Sequence, residues 1–198
     1  MILFIYRILI NFVLIFSPFI ILIRILKKKE DIKRFKEKLC FFSKSKVKKK
    51  LIWFHGASVG EISSIIPIVL KLEKNKNIDQ ILITSSTLSS SNILNQFKFK
   101  KTIHQFFPID TNHMSKKFLD YWKPSLAIFI DSEIWPNMIL NLKTKKIPIF
   151  LLNARITQKS FYRWKTLGKF SKKIFQCINK SLVSNNETLK HLKFFGVK

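Results

Sequence analysis

Apolar side chains fill the first 26 positions of the chain almost without interruption. The run reads MILFIYRILINFVLIFSPFIILIRIL, with Arg7 and Arg24 near its two ends and Pro18 inside it. A bilayer-spanning helix needs about 20 apolar residues, and arginines near its ends reach towards the headgroups. A secretory signal has a shorter apolar stretch and a small-residue cleavage site, which this run lacks. Residues 1–26 are therefore predicted to form a membrane helix, with a buried or interfacial helix as the alternative.

A basic connector, residues 27–50, follows this helix. It contains Lys27–Lys29, a stretch of helical character at Asp31–Phe42, and five lysines between Lys44 and Lys50. Basic residues beside a membrane helix favour the cytoplasmic side, so the rest of the chain is predicted to lie there. The same lysines suit the surface of an anionic membrane.

From Leu51 onwards the pattern changes to short apolar runs separated by segments of helical periodicity, such as Glu61–Glu73. The apolar runs lie at 51–54, 81–84, 103–107, 126–130, 147–152 and 181–183. Strands that alternate with helices are typical of a parallel sheet covered on both faces. Residues 51–198 are therefore predicted to form one α/β domain with a Rossmann-like parallel sheet.

The charge of the chain narrows the choice of partner. Its 37 Lys and Arg stand against 11 Asp and Glu, a formal net charge of +26, and only five of the basic residues are Arg. Sequence-specific DNA readers rely on the bidentate fork of Arg, and a nucleic-acid partner would not explain the apolar helix. The lysines reflect either a coding bias or attraction to anionic lipid or substrate. Cys40 and Cys177 are too few for a disulfide scaffold and are predicted to be free thiols.

Polar residues follow the predicted strands at the ends where an open α/β sheet binds its ligands. They are His55–Glu61 after the first strand, Thr84–Thr87 after the second, Asp131–Glu133 after the fourth and Asn153–Arg155 after the fifth. Each set is ordinary in a loop, but together they would line one rim of the sheet. This rim is the predicted binding cleft.

Glu61 has two interpretations. Ser58-x-x-Glu61 fits a capping box, in which the glutamate bonds back to the start of its own helix. Gly56 and Gly60 flank the loop, however, and allow a tight turn or the close approach of a ligand, so Glu61 could also serve as a general base. The spacing of these glycines matches neither a dinucleotide fingerprint nor a Walker A loop.

Glu133 follows the most apolar predicted strand and precedes Pro136, which suits the first turn of a helix. Glu133 or Ser132 could therefore cap that helix. A second carboxylate on the rim would instead allow paired acid–base or charge-stabilising chemistry. Arg155 could pair with Glu133 or contact a phosphate.

The remaining polar candidates are weaker. His55 lies on the rim, but His104, His113 and His191 are scattered without metal-ligand spacing, so the histidines are predicted to be structural and no metal site is expected. The serine-rich run from Ser85 to Ser91 lacks a nucleophile elbow. It is predicted to be a loop and helix cap whose hydroxyls bind a ligand.

Five motifs in one order resemble a known family. They are WFHGASVGE (53–61), ITSST (83–87), PID (108–110), EIWPN (133–137) and NAR (153–155), preceded by the apolar helix. The combination resembles the N-terminal half of the 3-deoxy-D-manno-octulosonic acid (Kdo) transferases of lipopolysaccharide synthesis. The resemblance covers essentially the whole chain.

The resemblance implies the N-terminal half of a two-domain GT-B glycosyltransferase at the cytoplasmic side of the inner membrane. This half would bind the lipid A precursor, and a C-terminal domain would hold the donor CMP-Kdo. Glu61 would be the catalytic base, Glu133 would stabilise the transition state, and neither a metal nor a cofactor would be required. The residues expected to bind the acceptor are Ser58, Gly60, Thr84, Ser85, Ser86, Asn153 and Arg155.

Length is the main departure from the family, whose chains run to roughly twice this size, as two domains require. The donor-binding residues are therefore expected beyond residue 198, and the chain alone is expected to be inactive. Two hypotheses follow. The chain is either the acceptor-binding half of a transferase that works with a separate C-terminal domain, or a membrane-anchored, non-catalytic remnant or binding module.

Overall fold

The computed structural model describes residues 1–47, 50–131 and 133–197 of the 198-residue chain. Ser132, one of the predicted caps, and Lys48 and Lys49 of the basic connector lie outside these ranges. The strands are β1 Leu51–His55, β2 Gln80–Ser85, β3 Thr102–Phe106, β4 Leu126–Ile130, β5 Ile149–Ala154 and β6 Lys180–Val183. The α-helices are α1 Ile2–Leu26, α2 Val59–Glu73, α3 Leu88–Leu94, α4 Asn112–Trp122, α5 Pro136–Thr144, α6 Gln158–Thr166, α7 Lys169–Phe175 and α8 Asn186–Phe195.

The six strands form one sheet in the order β3-β2-β1-β4-β5-β6, and every neighbouring pair is parallel. The predicted Rossmann-like α/β fold is therefore confirmed. The chain builds outwards from β1 to β3, then crosses to β4 on the other side of β1. This reversal places the topological switch point of the sheet between β1 and β4, where open α/β sheets bind ligands.

Two apolar layers cover the faces of the sheet. One contains Trp53 and Phe129 together with the inner faces of α4, α5, α7 and α8, and the other contains Phe54 together with α2 and α3. All five residues of β1 are buried, because β1 is central and covered on both sides. Such a strand reads as a continuous apolar run, which is why the sequence pattern located it.

The connector differs from its prediction. Instead of a helix over Asp31–Phe42, it forms a turn and a short 3₁₀ helix at Phe35–Leu39. The carboxylate of the buried Glu37 accepts hydrogen bonds from the Arg34 guanidinium, at 2.8 and 2.9 Å, and from the backbone N–H of Phe106, at 2.8 Å. These bonds tie the connector to the end of β3, and tertiary contacts of this kind override local helix propensity.

The apolar N-terminal run forms α1, as predicted, and this helix is long and apolar enough to cross a membrane. Polar side chains on one side of α1 contact the α/β domain. Tyr6 Oη donates to Asp110 Oδ2 at 2.8 Å, and Arg7 Nε donates to Asn137 Oδ1 at 3.0 Å. Large apolar side chains on the rest of α1, including Phe4, Ile15 and Phe19, are exposed.

Candidate functional site

The two candidate glutamates follow the two strands that flank the switch point. Glu61 lies in the first turn of α2, just after β1, and Glu133 lies in the loop between β4 and α5. In the parallel pairing of β1 with β4, His55 is opposite Phe129, so the two strands end side by side. The fold thus brings both glutamates to the same crevice at the carboxyl end of the sheet.

The loop before α2 holds the Glu61 side chain in one position. Ser58 is the N-cap of α2, and its Oγ accepts a hydrogen bond from the Glu61 N–H at 3.3 Å. The Ser58 hydroxyl also donates to Glu61 Oε1 at 2.6 Å, while the Ala57 N–H donates to Glu61 Oε2 at 2.8 Å. The predicted cap is therefore present, although the glutamate accepts from the backbone N–H of Ala57 rather than from that of Ser58. Each carboxylate oxygen keeps a second acceptor position, so the cap leaves a proton acceptor on the rim.

The two glycines of this loop serve different purposes. A Cβ on Gly56 would lie 3.0 Å from Glu61 Cβ and 3.3 Å from Ile62 Cδ1, so a larger residue there would press on Glu61. A Cβ on Gly60 would meet nothing within 4 Å among the described residues outside its own helix backbone and chain neighbours. Gly in a helix is less stable than Ala by about 0.5–1 kcal/mol. Packing within the chain therefore does not explain Gly60, whereas a ligand approaching beside Glu61 would.

Glu133 is held by two ring N–H groups. Its Oε2 accepts from Trp135 Nε1 at 2.7 Å and lies 3.2 Å from His55 Nε2. Burial raises the pKa of Glu133, but the hydrogen bond and charge of His55 and the Trp135 hydrogen bond outweigh it and hold the pKa below its usual value. Glu133 is therefore a carboxylate at neutral pH. It does not cap α5, because the first free N–H groups of that helix, from Asn137 and Met138, donate to Asp110.

A buried polar chain supports Glu133 from below. His55 is fully buried, and its Nδ1 lies 2.9 Å from Thr84 Oγ1, which also accepts from Trp53 Nε1 at 2.9 Å. The ring of Phe107 stacks on the imidazole with centroids 3.9 Å apart. Because a carboxylate only accepts hydrogen bonds, His55 Nε2 carries the hydrogen that points at Glu133. His55 thus orients a residue of the rim.

The serine and threonine candidates divide into two layers. Thr84 and Ser85 are completely buried, and Ser85 Oγ lies 2.9 Å from His104 Nε2. Burial, together with the charges of Arg34 and Lys44, lowers the pKa of His104 to about 3, so this histidine is neutral near pH 7. Ser86 alone of the three lines an open groove, beside α1. Thr84 and Ser85 therefore position their neighbours from beneath the rim.

The last two candidates lie on the next strand along the rim. Asn153 and Arg155 are at the end of β5, which pairs with β4, and both side chains are exposed. Asn153 adopts a left-handed backbone conformation with φ of 54°, which asparagine tolerates better than most residues. Residues two apart in a regular strand share one face of the sheet, but here the register of β5 against β6 shifts between Leu151 and Ala154.

The comparisons with known proteins identify the family. Residues 33–198 match the family described as 3-deoxy-D-manno-octulosonic-acid transferase (kdotransferase). The chain belongs to this family. A Rickettsia bellii protein named 3-deoxy-D-manno-octulosonic acid transferase is 38% identical over 90% of this chain and 42% of its own length. One of the same name from Rickettsia typhi is 39% identical over 74% of this chain and 32% of its own length.

The chain spans less than half the length of these two relatives. Among solved structures, UDP-GlcNAc 2-epimerase from Neisseria meningitidis bound to UDP-GlcNAc is similar, with a TM-score of 0.54 and 16% identity. The match covers 76% of this chain and 44% of the epimerase. At that identity the likeness concerns the fold alone.

Sequence reasoning missed one carboxylate beside the rim. Asp110 is buried, and it accepts from Tyr6 and Ser115 as well as from the start of α5. Burial raises the pKa of Asp110 to about 6 despite these hydrogen bonds. The PID motif at 108–110 was a signal of its importance, but a motif alone does not show that one aspartate joins α1, α4 and α5.

No group of three or more His, Cys, Asp or Glu side chains within residues 1–47, 50–131 and 133–197 is arranged to hold a metal ion. The prediction that catalysis needs no metal or cofactor stays a prediction. The described cysteines, Cys40 and Cys177, are both free and buried.

Proposed function

We propose that this chain is the acceptor-binding part of an inverting glycosyltransferase that transfers Kdo from CMP-Kdo to the lipid A precursor. The observation that carries the proposal is the pair of immobilised glutamates at the switch point. Ser58 and Ala57 hold Glu61, while His55 and Trp135 hold Glu133 as a carboxylate. Positioned groups of this kind lower a reaction barrier because their orientation is set before the substrate binds.

In the proposed reaction, Glu61 accepts the proton of an acceptor sugar hydroxyl as that oxygen attacks the anomeric carbon of Kdo. The bond between this carbon and the phosphate oxygen of CMP breaks at the same time, and CMP leaves with the electron pair. Attack from the opposite side inverts the anomeric centre. Glu133 carries the negative charge that stabilises the positive charge developing on the sugar.

The acceptor is proposed to lie over the exposed part of the rim, against Ser58, Gly60, Ser86, Asn153 and Arg155, with Thr84 and Ser85 supporting it from below. The site Gly60 leaves open beside Glu61 is where a sugar hydroxyl would reach the base. Arg155 and the lysine-rich surface would attract the phosphates of such a lipid.

Membrane attachment completes the proposal. Residues 1–26 are proposed to anchor the protein at the cytoplasmic side of the inner membrane, residues 27–50 to form a basic connector on anionic headgroups, and residues 51–198 to form the acceptor-binding domain. CMP-Kdo is proposed to bind to a C-terminal domain, for which the additional length of the relatives leaves room. Nucleic acid, metal and cofactor play no part.

A graft tests this function. Residues 1–198 replace the matching N-terminal part of the Rickettsia bellii relative, and transfer from CMP-Kdo to lipid A precursor is measured in detergent. We expect transfer by the graft and none by residues 1–198 alone. If the parent relative is active and the folded graft shows no transfer, the chain is instead a remnant or a non-catalytic binding module.

Within the active graft, Glu61→Gln is expected to lower kcat by at least about 100-fold, because a positioned general base contributes roughly 100- to 10,000-fold. Gln keeps the size of the side chain and an acceptor for the Ala57 N–H, so folding should be retained. Ser64→Ala, one turn along α2 on an exposed position, is the matched control. Turnover by Glu61→Gln within twofold of the parent would reduce Glu61 to a helix cap.

A further inference from the structure

A narrow apolar groove lies between α1 and the rim of the domain. Its volume is about 400 Å³. On the α1 side the groove is lined by Ile10, Val13, Ile20 and Ile21, and on the domain side by Phe107 and Trp135. The groove therefore has one wall on the apolar helix and the other on the candidate active site.

The shape of the groove restricts what it can hold. The stretch of α1 from Ile10 to Ile21 rises about 16 Å. The volume of about 400 Å³ along this length is enough for one extended hydrocarbon chain. A second helix, at least about 10 Å across, would not fit. At the far end of α1, Arg24 and Lys38 both bond to Glu30, at 2.8 and 2.5 Å, and these three residues line that end of the groove.

Two further features indicate a lipid. Val13 and Ile20 line the groove and are also exposed, so the groove opens onto the outer surface of α1 and a chain can enter from a surrounding membrane. The groove also touches the catalytic rim, because the indole of Trp135 lines it while the N–H of the same ring bonds to Glu133. A lipid with a chain in the groove would have its polar part beside that carboxylate.

We propose that this groove binds one acyl chain of the lipid acceptor and so places the acceptor headgroup over Glu61 and Glu133. The proposal rests on the proposed function, which supplies a lipid as acceptor. It adds that the protein binds one acyl chain of the acceptor, which would otherwise stay in the membrane. The headgroup gains local concentration at the site through this second contact.

The test uses the full chain in vesicles of anionic phospholipid that contain acceptor lipid with a photoactivatable diazirine in one acyl chain. Irradiation should label α1 around Ile10–Ile21 and the segment around Phe107, as mapped by mass spectrometry. Val13→Trp and Ile20→Trp enlarge side chains that line the groove, and Ile15→Trp and Leu22→Trp are matched controls on exposed positions of the same helix outside the groove lining. All four variants keep α1 apolar.

We expect the groove-filling variants to lose about tenfold in labelling at Phe107, which corresponds to about 1.4 kcal/mol, while the controls keep the parent's labelling. Equal labelling at Phe107 in all four variants, or label confined to the exposed face of α1, would contradict the proposal that the groove binds an acyl chain. Groove labelling that an ordinary phospholipid competes away as well as the acceptor does would refute recognition of the acceptor. The graft assay tests the proposed function independently. An inactive graft combined with selective labelling of the groove would contradict the proposed catalysis but support binding of the acyl chain in the groove.

Discussion

At the residue scale, the site depends on contacts between side chains far apart in the sequence. Glu61 and Glu133 stand out because each lies in a motif at the end of a predicted strand. The support of Glu133 by His55, which is 78 residues away, is invisible in the sequence. A lone histidine in an apolar run is more often structural, and only the register of β1 against β2 and β4 shows that this one joins Thr84 to a carboxylate.

The two glycines of the Glu61 loop give contrasting predictions. Gly56→Ala should destabilise the domain by about 1–3 kcal/mol, because its Cβ would press on Glu61 and Ile62. Gly60→Ala should stabilise it by up to about 1 kcal/mol, because Ala is the better helix former. Urea unfolding of the detergent-solubilised chain measures both.

The same pair tests whether the space above Gly60 is used. In the graft, Gly60→Ala should raise the KM for the lipid acceptor several-fold while the protein becomes more stable. An unchanged KM would show that the acceptor does not approach this position. Gly56→Ala serves as the comparison, because its effect should follow from the displaced Glu61 and appear mainly in kcat.

The substitution Trp135→Phe is expected to change the pH dependence of transfer by the graft. The pKa of Glu133 is held low partly by the Trp135 N–H, so removing that donor should raise it. The carboxylate is present above its pKa and is lost as the pH falls through it, so the acidic limb of the pH–rate profile of the graft should move to higher pH. Trp164→Phe, on α6, is the control. A shift to lower pH, or the same shift in both variants, would contradict the assigned role.

At the element scale, apolar runs and helical periodicity predicted all six strands within two residues of their observed ends. Buried parallel strands produce continuous apolar runs, and these need no tertiary information to recognise. The predicted helix in the connector is wrong for the opposite reason. Its local composition favours a helix, but Glu37 is buried against β3, and the bond to Phe106 joins positions 69 residues apart.

The connector can be tested through this carboxylate. Glu37→Gln should destabilise the protein by about 3 kcal/mol, because it leaves the largely buried Arg34 guanidinium without its counter-charge. Glu187→Gln, on an exposed position of α8, should change stability by less than about 0.5 kcal/mol. Urea unfolding followed by tryptophan fluorescence measures the difference. Equal stabilities would mean that the connector does not hold β3.

At the scale of the whole molecule, α1 and the α/β domain form one unit. Tyr6, Ser17 and Arg24 are spaced by 11 and 7 residues, which is close to whole turns of a helix, so they share one face. Tyr6 contacts Asp110 at one end of α1, and Arg24 contacts Glu30 near the other. The apolar side chains around the rest of the helix remain exposed.

The two attachments restrict how α1 could meet a membrane. From Tyr6 to Arg24 the helix rises about 27 Å, nearly the thickness of a hydrocarbon core of about 30 Å. If α1 crossed the bilayer with both contacts intact, the rim around Asp110 would be carried into hydrocarbon, where charged and polar groups are costly. We therefore expect that α1, if it meets a membrane in its docked position, lies along the surface with its exposed apolar face in the lipid and the rim beside it.

Cysteine labelling decides between these two arrangements. Because Cys40 and Cys177 are buried, single variants Ile2→Cys and Lys28→Cys report the two ends of α1 against a low background. In sealed vesicles with the domain outside, a membrane-impermeant maleimide should label both ends if α1 lies along the surface. Labelling of Lys28→Cys alone, with Ile2→Cys protected until detergent opens the vesicles, would show that α1 spans the membrane. A spanning α1 would have to give up the Tyr6–Asp110 contact, and the groove against Trp135 would be lost with it.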